Sequence, residues 1–327
     1  MYLAYTAPHW PLHAWPEDIN KYKELYKKEG WTKIRLARHK RMIEMGLVKE
    51  SWPLGGDEPP DWDAVTDKDD KILRMATYAA QIDRMDQGIG KVLAKLKEIG
   101  AEKNTLVLFM SDNGGCAEVI ERGKPGATIG TAESFSSYGV PWATVSNTPF
   151  RYWKHYVHEG GISSPLIAYW PDKIRKGGGL VHDVTHITDM MATFVDASGA
   201  AYPKTRNARE ILPMEGRSFA PLLEGKALPA DREIGWEHEG NRAFRKGKWK
   251  IVCRRGATWS LYDMEADRTE TNDLAEKDPQ KVAELADLYD AWAKRCGVEP
   301  WTSVQRAAAR AAASQKASGA TKPVPVD

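Results

Sequence analysis

A carboxylate and an amide stand together after an apolar run of strand length. Asp112 and Asn113 follow the run at 105–110 and precede Gly114 and Gly115. A carboxylate beside an amide oxygen offers hard ligands, which suit Ca²⁺ or Mg²⁺ better than Zn²⁺. An Asn-Gly pair is also typical of a tight hairpin turn. These residues by themselves therefore predict either a metal site or a turn.

A histidine and a lysine also stand beside apolar runs. His9 lies between two prolines and follows the run at 2–6, which we expect to be a core strand. The prolines restrict the backbone that carries the imidazole, and an imidazole can protonate a leaving group near neutral pH. Lys154 precedes a Glu-Gly-Gly motif at 159–161 and offers a point charge for a sulfate or phosphate. Each residue alone could equally be an ordinary loop residue.

The elements that must position these residues follow from apolar spacing. Continuous apolar runs predict strands buried on both faces, and apolar residues every three to four positions predict helices. This alternation is typical of an α/β domain. The predicted elements are a charged helix over 17–50 with a break near Gly30, a loop over 51–66, a helix over 72–99, strands over 105–110 and 165–170, and a helix over 185–198.

The pattern changes near residue 230. Four short strand candidates joined by turns predict a small antiparallel sheet, and apolar spacing over 279–296 predicts a final helix. We therefore divide the chain into an α/β domain over 1–228 with a helical and loop insertion at 17–66, a small subdomain over 229–302, and a disordered tail over 303–327.

Composition excludes several classes of protein. The net charge of +2 over 327 residues leaves no nucleic-acid footprint. No apolar run reaches the roughly 18 residues that a membrane span needs, and we expect no signal peptide in this form. The cysteines Cys116, Cys253 and Cys296 are too widely spaced to predict a disulfide framework or a zinc motif.

The order of the motifs carries more information than any one of them. "YTAPHWPLHA", then "VLFMSDNGG", then K-x-x-x-x-E-G-G before a strand ending in "YWP" resembles the type I sulfatases of the alkaline-phosphatase superfamily. The stretches "WEHEGNRAFRKGKWKIV" and "WSLYDMEADRTETNDLA" resemble the family's C-terminal subdomain. The resemblance implies a sandwich with a mixed central sheet flanked by helices, plus a small antiparallel subdomain with a terminal helix.

The resemblance also implies a site and a reaction. Asp112 and Asn113 would be ligands of an active-site Ca²⁺ or Mg²⁺, His9 would bind the sulfate ester and assist the leaving group, and Lys154 would hold a sulfate oxygen. The reaction would be hydrolysis of the sulfate ester of a carbohydrate or aryl compound by a metal-assisted formylglycine mechanism. We expect metal, lysine and histidine to offset the charge that builds on the sulfuryl oxygens.

Substrate selection would fall to variable loops and to residues around the site. Further candidates for substrate contact are His13, His155, His158 and His238, although each suits an ordinary loop position as well. Aromatic rings could stack on a sugar or aryl group. The candidates for stacking are Trp10, Trp31, Trp52, Trp142 and Trp153.

The sequence departs from the family at the nucleophile. The formylglycine motif C/S-x-P-x-R is absent: none of the three cysteines opens it, and the Ser-x-Pro stretches at 51–53 and 163–165 lack the arginine two positions on. We therefore expect a C-terminal portion of a sulfatase, inactive alone, whose partner is the half that bears the nucleophile. On this hypothesis Leu106, Leu108 and Ile167 would lack packing partners, and the parent enzyme would be exported.

Two other functions stay open at this point. A phosphodiesterase or phosphonate hydrolase of the same superfamily would share the fold and the metal ligands. A non-catalytic binder of sulfated sugars would keep His9, Lys154 and Trp10 as a site for an anion and a ring.

Overall fold

The computed structural model describes residues 1–56 and 58–305 and has the mixed α/β architecture that the sequence predicts. The helices are α1 (Pro16–Glu44), α2 (Lys68–Glu98), α3 (Gly139–Ser146), α4 (Glu159–Ile162), α5 (Asp189–Ser198), α6 (Ala220–Leu223) and α7 (Pro279–Cys296). The strands are β1 (Val107–Met110), β2 (Leu166–Tyr169), β3 (Thr205–Arg206), β4 (Arg209–Glu210), β5 (Glu233–His238), β6 (Asn241–Lys246), β7 (Trp249–Cys253) and β8 (Ser260–Asp263). Within the described residues, none of the helices combines the length and the apolarity of a bilayer crossing.

Helices α1 and α2 pack against each other, and the predicted break in α1 is confirmed at Gly30. The backbone of Gly30 has φ 62° and ψ 177°, outside the helical region. A Cβ atom at this position would lie 2.4 Å from the ring of Trp62. Glycine is therefore required both by the positive φ and by the indole that packs on the backbone.

Three tryptophans that we expected to stack on a ligand lie in the core instead. The exposed fractions are 2% for Trp31, 4% for Trp52 and 0% for Trp142. The rings of Trp31 and Trp142 meet edge to face, with centroids 5.6 Å apart. The prediction of a stacking surface was wrong for these three because burying an indole in the core removes a large apolar area from water.

Strands β1 and β2 are confirmed, but they pair antiparallel, with Phe109 opposite Ile167. Burial on both faces is wrong, because Phe109 is 39% exposed and Ile167 is 59% exposed. Among the described residues this sheet has only two strands, so the outer face of the pair is left uncovered. The expected lack of packing is thus confirmed for Ile167, whereas Leu106 and Leu108 are half-buried.

The expected strand over residues 2–6 is wrong. The segment has no regular secondary structure and pairs with no strand of the described chain, and Tyr2 is 91% exposed. Apolar, β-prone residues form a strand only where a neighbouring strand accepts their backbone hydrogen bonds. The segment instead ends in a turn, in which His9 N–H donates to the Thr6 carbonyl over 3.0 Å.

The predicted C-terminal subdomain is present as a four-stranded antiparallel sheet in the order β5-β6-β7-β8. Helix α7 covers one face, and the cluster between them contains Phe244, Ile251, Leu261, Leu285 and Tyr289. The side chain of Asp278 caps the start of α7 by accepting from Lys281 N–H. Of the predicted disordered tail, residues 306–327 lie outside the described residues, and residues 303–305 belong to a helical turn instead.

A buried lysine joins this sheet to the Glu-Gly-Gly segment. Lys250 on β7 is fully buried, and its Nζ lies 2.9 Å from Glu159 Oε1 and 2.8 Å from Glu270 Oε1. Arg268 Nε also lies 3.1 Å from Glu159 Oε2. Burial acts to raise the pKa of Glu159, but the charges of Lys250 and Arg268 outweigh it and lower that pKa to about 2. Glu159 therefore stays ionised and paired inside the protein.

Replacing Lys250 by Met should destabilise the protein by about 3–5 kcal/mol, because it leaves the buried carboxylates without their cation. Urea unfolding followed by tryptophan fluorescence measures this change. Lys246→Met is the matched control, since Lys246 pairs with Glu233 at 2.9 Å on the surface. The control should cost less than about 1 kcal/mol. Equal losses of stability in the two variants would show that the buried ion pairs contribute no more to stability than the surface pair.

Candidate active site

The structure brings His9 and Lys154 together, although 145 positions separate them. His9 Nδ1 lies 2.7 Å from the carbonyl of Trp10, and His9 Nε2 lies 3.1 Å from Lys154 Nζ. A carbonyl only accepts, so Nδ1 carries the hydrogen and Nε2 presents its lone pair to the ammonium group. Both side chains therefore point to one place, where an anionic oxygen could meet two nitrogen groups.

Lys154 is fixed by the loop that follows β1. Its backbone N–H donates to the Gly115 carbonyl over 3.1 Å, and Gly115 N–H in turn donates to Asn147 Oδ1 over 2.8 Å. Asn147 is 9% exposed and also donates from Nδ2 to the Tyr152 carbonyl over 3.1 Å. Asn147 is a positioning residue that was not predicted from the sequence. Its neighbours in sequence are those of an ordinary helix end and give no sign of this role.

The glycines of the two motifs lie backbone to backbone. Gly114 N–H donates to the Gly161 carbonyl over 3.0 Å, and a Cβ on Gly114 would lie 1.8 Å from the Gly160 carbonyl oxygen. A Cβ on Gly160 would lie 2.2 Å from the carbonyl oxygens of Arg151 and Tyr152. Side chains cannot be accommodated at this contact, which explains why both motifs contain glycine.

Asp112 and Asn113 lie at the carboxyl end of β1 and line the same groove as His9, an open space of about 3480 Å³. Asn113 Nδ2 donates to the Gly114 carbonyl over 2.8 Å, which fixes the orientation of the amide oxygen. Asp112 Oδ1 accepts from Asn113 N–H over 3.0 Å, and the Asp112 side chain is exposed. Both side chains carry the oxygen atoms that a hard cation prefers. They could supply two of the six to eight oxygen ligands that Ca²⁺ takes.

Glu118 is a further member of the site. Its Oε2 accepts from Trp10 Nε1 over 2.9 Å and from Cys116 Sγ over 2.8 Å, and it lies 3.9 Å from Lys154 Nζ. Partial burial acts to raise the pKa of Glu118, but these hydrogen bonds and the charge of Lys154 leave the pKa below its usual range. A carboxylate thus balances the lysine. Glu118 was not predicted from the sequence, because a single acidic residue in a loop has no pattern that marks it as functional.

The other predicted substrate contacts lie in different surroundings. Trp10 is half-buried beside His9, with ring centroids 4.6 Å apart, so it borders the site. His13 is exposed and forms a hydrogen bond through Nε2 to the Ser134 carbonyl over 2.7 Å.

His158 is 6% exposed, and burial together with the charge of Lys250 lowers its pKa to about 2. A buried, neutral His158 has no face open to a ligand. His238 is exposed on a hairpin of the C-terminal sheet.

The arrangement defines a class of protein. Carboxylate and amide oxygens after β1, together with the His9–Lys154 pair in an α/β fold, match in kind the alkaline-phosphatase superfamily. Comparison with known protein families identifies the family within this superfamily. The Sulfatase family model matches residues 1–200, and the model described as N-sulphoglucosamine sulphohydrolase, C-terminal, matches residues 150–291. The chain belongs to the sulfatase family.

Curated relatives agree with this assignment, and a solved structure shares the fold. An uncharacterized sulfatase of Schizosaccharomyces pombe is 32% identical over 91% of this chain and 58% of its own length. An arylsulfatase of Klebsiella aerogenes is 31% identical over 69% of this chain and 51% of its own length. The crystal structure of Ps i-CgsB matches with a TM-score of 0.58 and 22% identity over 89% of this chain and 49% of its own. The chain thus spans about half the length of these proteins.

Replacing Gly160 by Ala should destabilise the protein by about 1–3 kcal/mol or more, because the new Cβ forces two backbone segments apart. Thermal unfolding measured by circular dichroism checks this. Gly177→Ala is the matched control, since a Cβ at Gly177 meets nothing within 4 Å. The control should change stability by no more than about 0.5 kcal/mol. A Gly160 variant as stable as wild type would contradict the interlocked backbone.

Proposed function

We propose that this chain forms the sulfate-binding side of a sulfuric ester hydrolase. The observation that carries the proposal is the convergence of His9 Nε2 and Lys154 Nζ, 3.1 Å apart, with Lys154 N–H bonded to Gly115 in the loop that carries Asp112 and Asn113. Membership in the sulfatase family supports the same reaction class.

The residues divide the work by their chemistry. Lys154 would hold a sulfuryl oxygen as a point charge, and Glu118 keeps its ammonium group in place. His9 would donate to the ester or leaving-group oxygen when its Nε2 carries a proton. Asp112 and Asn113 would contribute two oxygen ligands to a Ca²⁺ or Mg²⁺, which acts as a Lewis acid on sulfate oxygens when bound.

The substrate class that we favour is a sulfated carbohydrate or aryl compound. Relatives include an arylsulfatase of Klebsiella aerogenes and an N-acetylgalactosamine-6-sulfatase of Rattus norvegicus. One solved neighbour, with a TM-score of 0.58, is Ps i-CgsB in complex with k-i-k-neocarrahexaose. Trp10 beside His9 offers a ring surface for either kind of leaving group.

The test is calorimetric titration of 4-nitrophenyl sulfate into the full chain with Ca²⁺ in excess. We expect binding without turnover, because the sequence has no C/S-x-P-x-R nucleophile motif. Lys154→Met and His9→Asn should each weaken binding about tenfold or more, since each removes a hydrogen bond to a charged group. 4-Nitrophenol, which lacks the sulfate, should not bind.

Lys103→Met serves as the charge-matched control, because Lys103 is exposed and lies outside the site. It should leave the affinity unchanged. Equal affinity for the wild type and both site variants would overturn the proposal. Tighter binding of phenyl phosphonate than of the sulfate ester would favour a phosphonate hydrolase instead.

A further inference from the structure

A second group of potential metal ligands lies where the C-terminal sheet meets the segment that carries Lys154. One ligand atom each from His155, His238 and Glu239 falls within 4.8 Å of the other two. His155 and Glu239 line an open cavity of about 620 Å³ beside Glu118. The oxygen ligands Asp112 and Asn113 do not line this cavity, so the two groups are separate.

The β5–β6 turn presents two of these side chains. Glu239 and Gly240 form a two-residue turn with φ of 52° and 83°, between the paired residues His238 and Asn241. Positive φ at both central positions defines a type I′ turn, which favours Asn or Asp and then Gly. Glutamate carries a conformational cost there, and retained strain of this kind is typical of functional positions.

The two histidines are held in register by one buried side chain. Asn241, 8% exposed, donates from Nδ2 to the backbone carbonyls of both His155 and His238, each over 3.0 Å. The two imidazole rings are stacked, with centroids 5.5 Å apart and an interplanar angle of 26°. His155 itself has φ 83°, a second strained backbone at the same place. The site is therefore organised before any ligand arrives.

The separation of His155 and Glu239 suits an ion pair with a protonated imidazole and equally two ligands of one metal ion. His155 Nδ1 lies 3.3 Å from Glu239 Oε2, yet this buried nitrogen has no hydrogen-bond partner among the described residues. A tetrahedral Zn²⁺ with bonds of about 2.0–2.1 Å places its ligand atoms about 3.3 Å apart.

Glu118 supports the same ligand from the other side of the ring. Its Oε1 lies 3.8 Å from His155 Nε2, on the side where a carboxylate would face a metal-bound imidazole without a direct hydrogen bond at this distance. Arg254 and Arg255 also line the cavity, and their guanidinium groups lie over the rings of Tyr152 and Trp301.

We propose that His155, His238 and Glu239 form a Zn²⁺ site that joins the β5–β6 turn to the segment carrying Lys154. Two imidazoles and a carboxylate suit zinc, whereas Ca²⁺ takes oxygen ligands only. Three protein ligands leave a fourth position open to water in the cavity. Its three ligands differ from the residues of the sulfate-binding site proposed above, and Glu118 lies next to both sites.

Titration of the full chain with ZnCl₂ in a calorimeter tests the proposal. We expect one Zn²⁺ per chain, undisturbed by excess Ca²⁺, and a higher melting temperature with Zn²⁺. Co²⁺ should give the visible absorption of a tetrahedral complex. His238→Ala and Glu239→Asn should each weaken Zn²⁺ binding at least about tenfold. Asn suits the positive φ, so the Glu239 variant should be at least as stable as wild type without metal.

Two controls separate this site from adventitious binding. His182→Ala and Cys296→Ser each alter an exposed side chain that can bind zinc elsewhere, and both should keep wild-type affinity. Absence of Zn²⁺ binding, or binding that survives Glu239→Asn and His238→Ala, would overturn the proposal. Binding lost in the Cys296 variant alone would assign the ion to that thiol and would equally overturn it.

Discussion

The ion pairs of Lys250 connect the parts of this structure on which the site depends. A fully buried ammonium group is tolerated only where carboxylates pair with it, and here Glu159 and Glu270 do so. Glu159 opens the short helix α4, whose glycines lie against the loop that carries Asp112. The C-terminal sheet therefore helps to hold the loop that carries Asp112 in place, through the Lys250–Glu159 ion pair and the hydrogen bond from Gly114 N–H to the Gly161 carbonyl.

The site combines opposite charges at short range. Lys154 lies between His9 and Glu118, so an anion that approaches meets a cation already balanced by a carboxylate. Such a lysine is held in one position rather than free to rotate, and binding then costs less side-chain entropy. The cavity beyond Glu118 extends this polar surface towards the β5–β6 turn.

The chain contains two kinds of potential ligand set, and they differ in chemical softness. Asp112 and Asn113 offer oxygen atoms at the end of a strand, while His155 and His238 offer imidazole nitrogens at a domain junction. A hard cation such as Ca²⁺ would therefore prefer the oxygen atoms, and a borderline ion such as Zn²⁺ the imidazole nitrogens. The same segment, from Lys154 to His158, carries residues of the proposed anion site, of the proposed zinc site and of the core.

The sequence by itself determined the local elements and the family. Apolar spacing gave α2, α7, the strands β5 to β8 and the break at Gly30, because periodicity reflects which face of an element is buried. The motifs gave Asp112, Asn113, His9 and Lys154 as candidates, since each stands beside a strand or a glycine pair.

Tertiary structure decided the rest. It left the segment at 2–6 without a pairing partner, placed Trp31 and Trp142 in the core, and brought Glu118 beside Lys154 and His155 beside His238. The local sequence pattern does not indicate which distant residue packs against a given position. Burial, pairing and convergence are properties of contacts between segments far apart in the chain, and only the folded backbone sets those contacts.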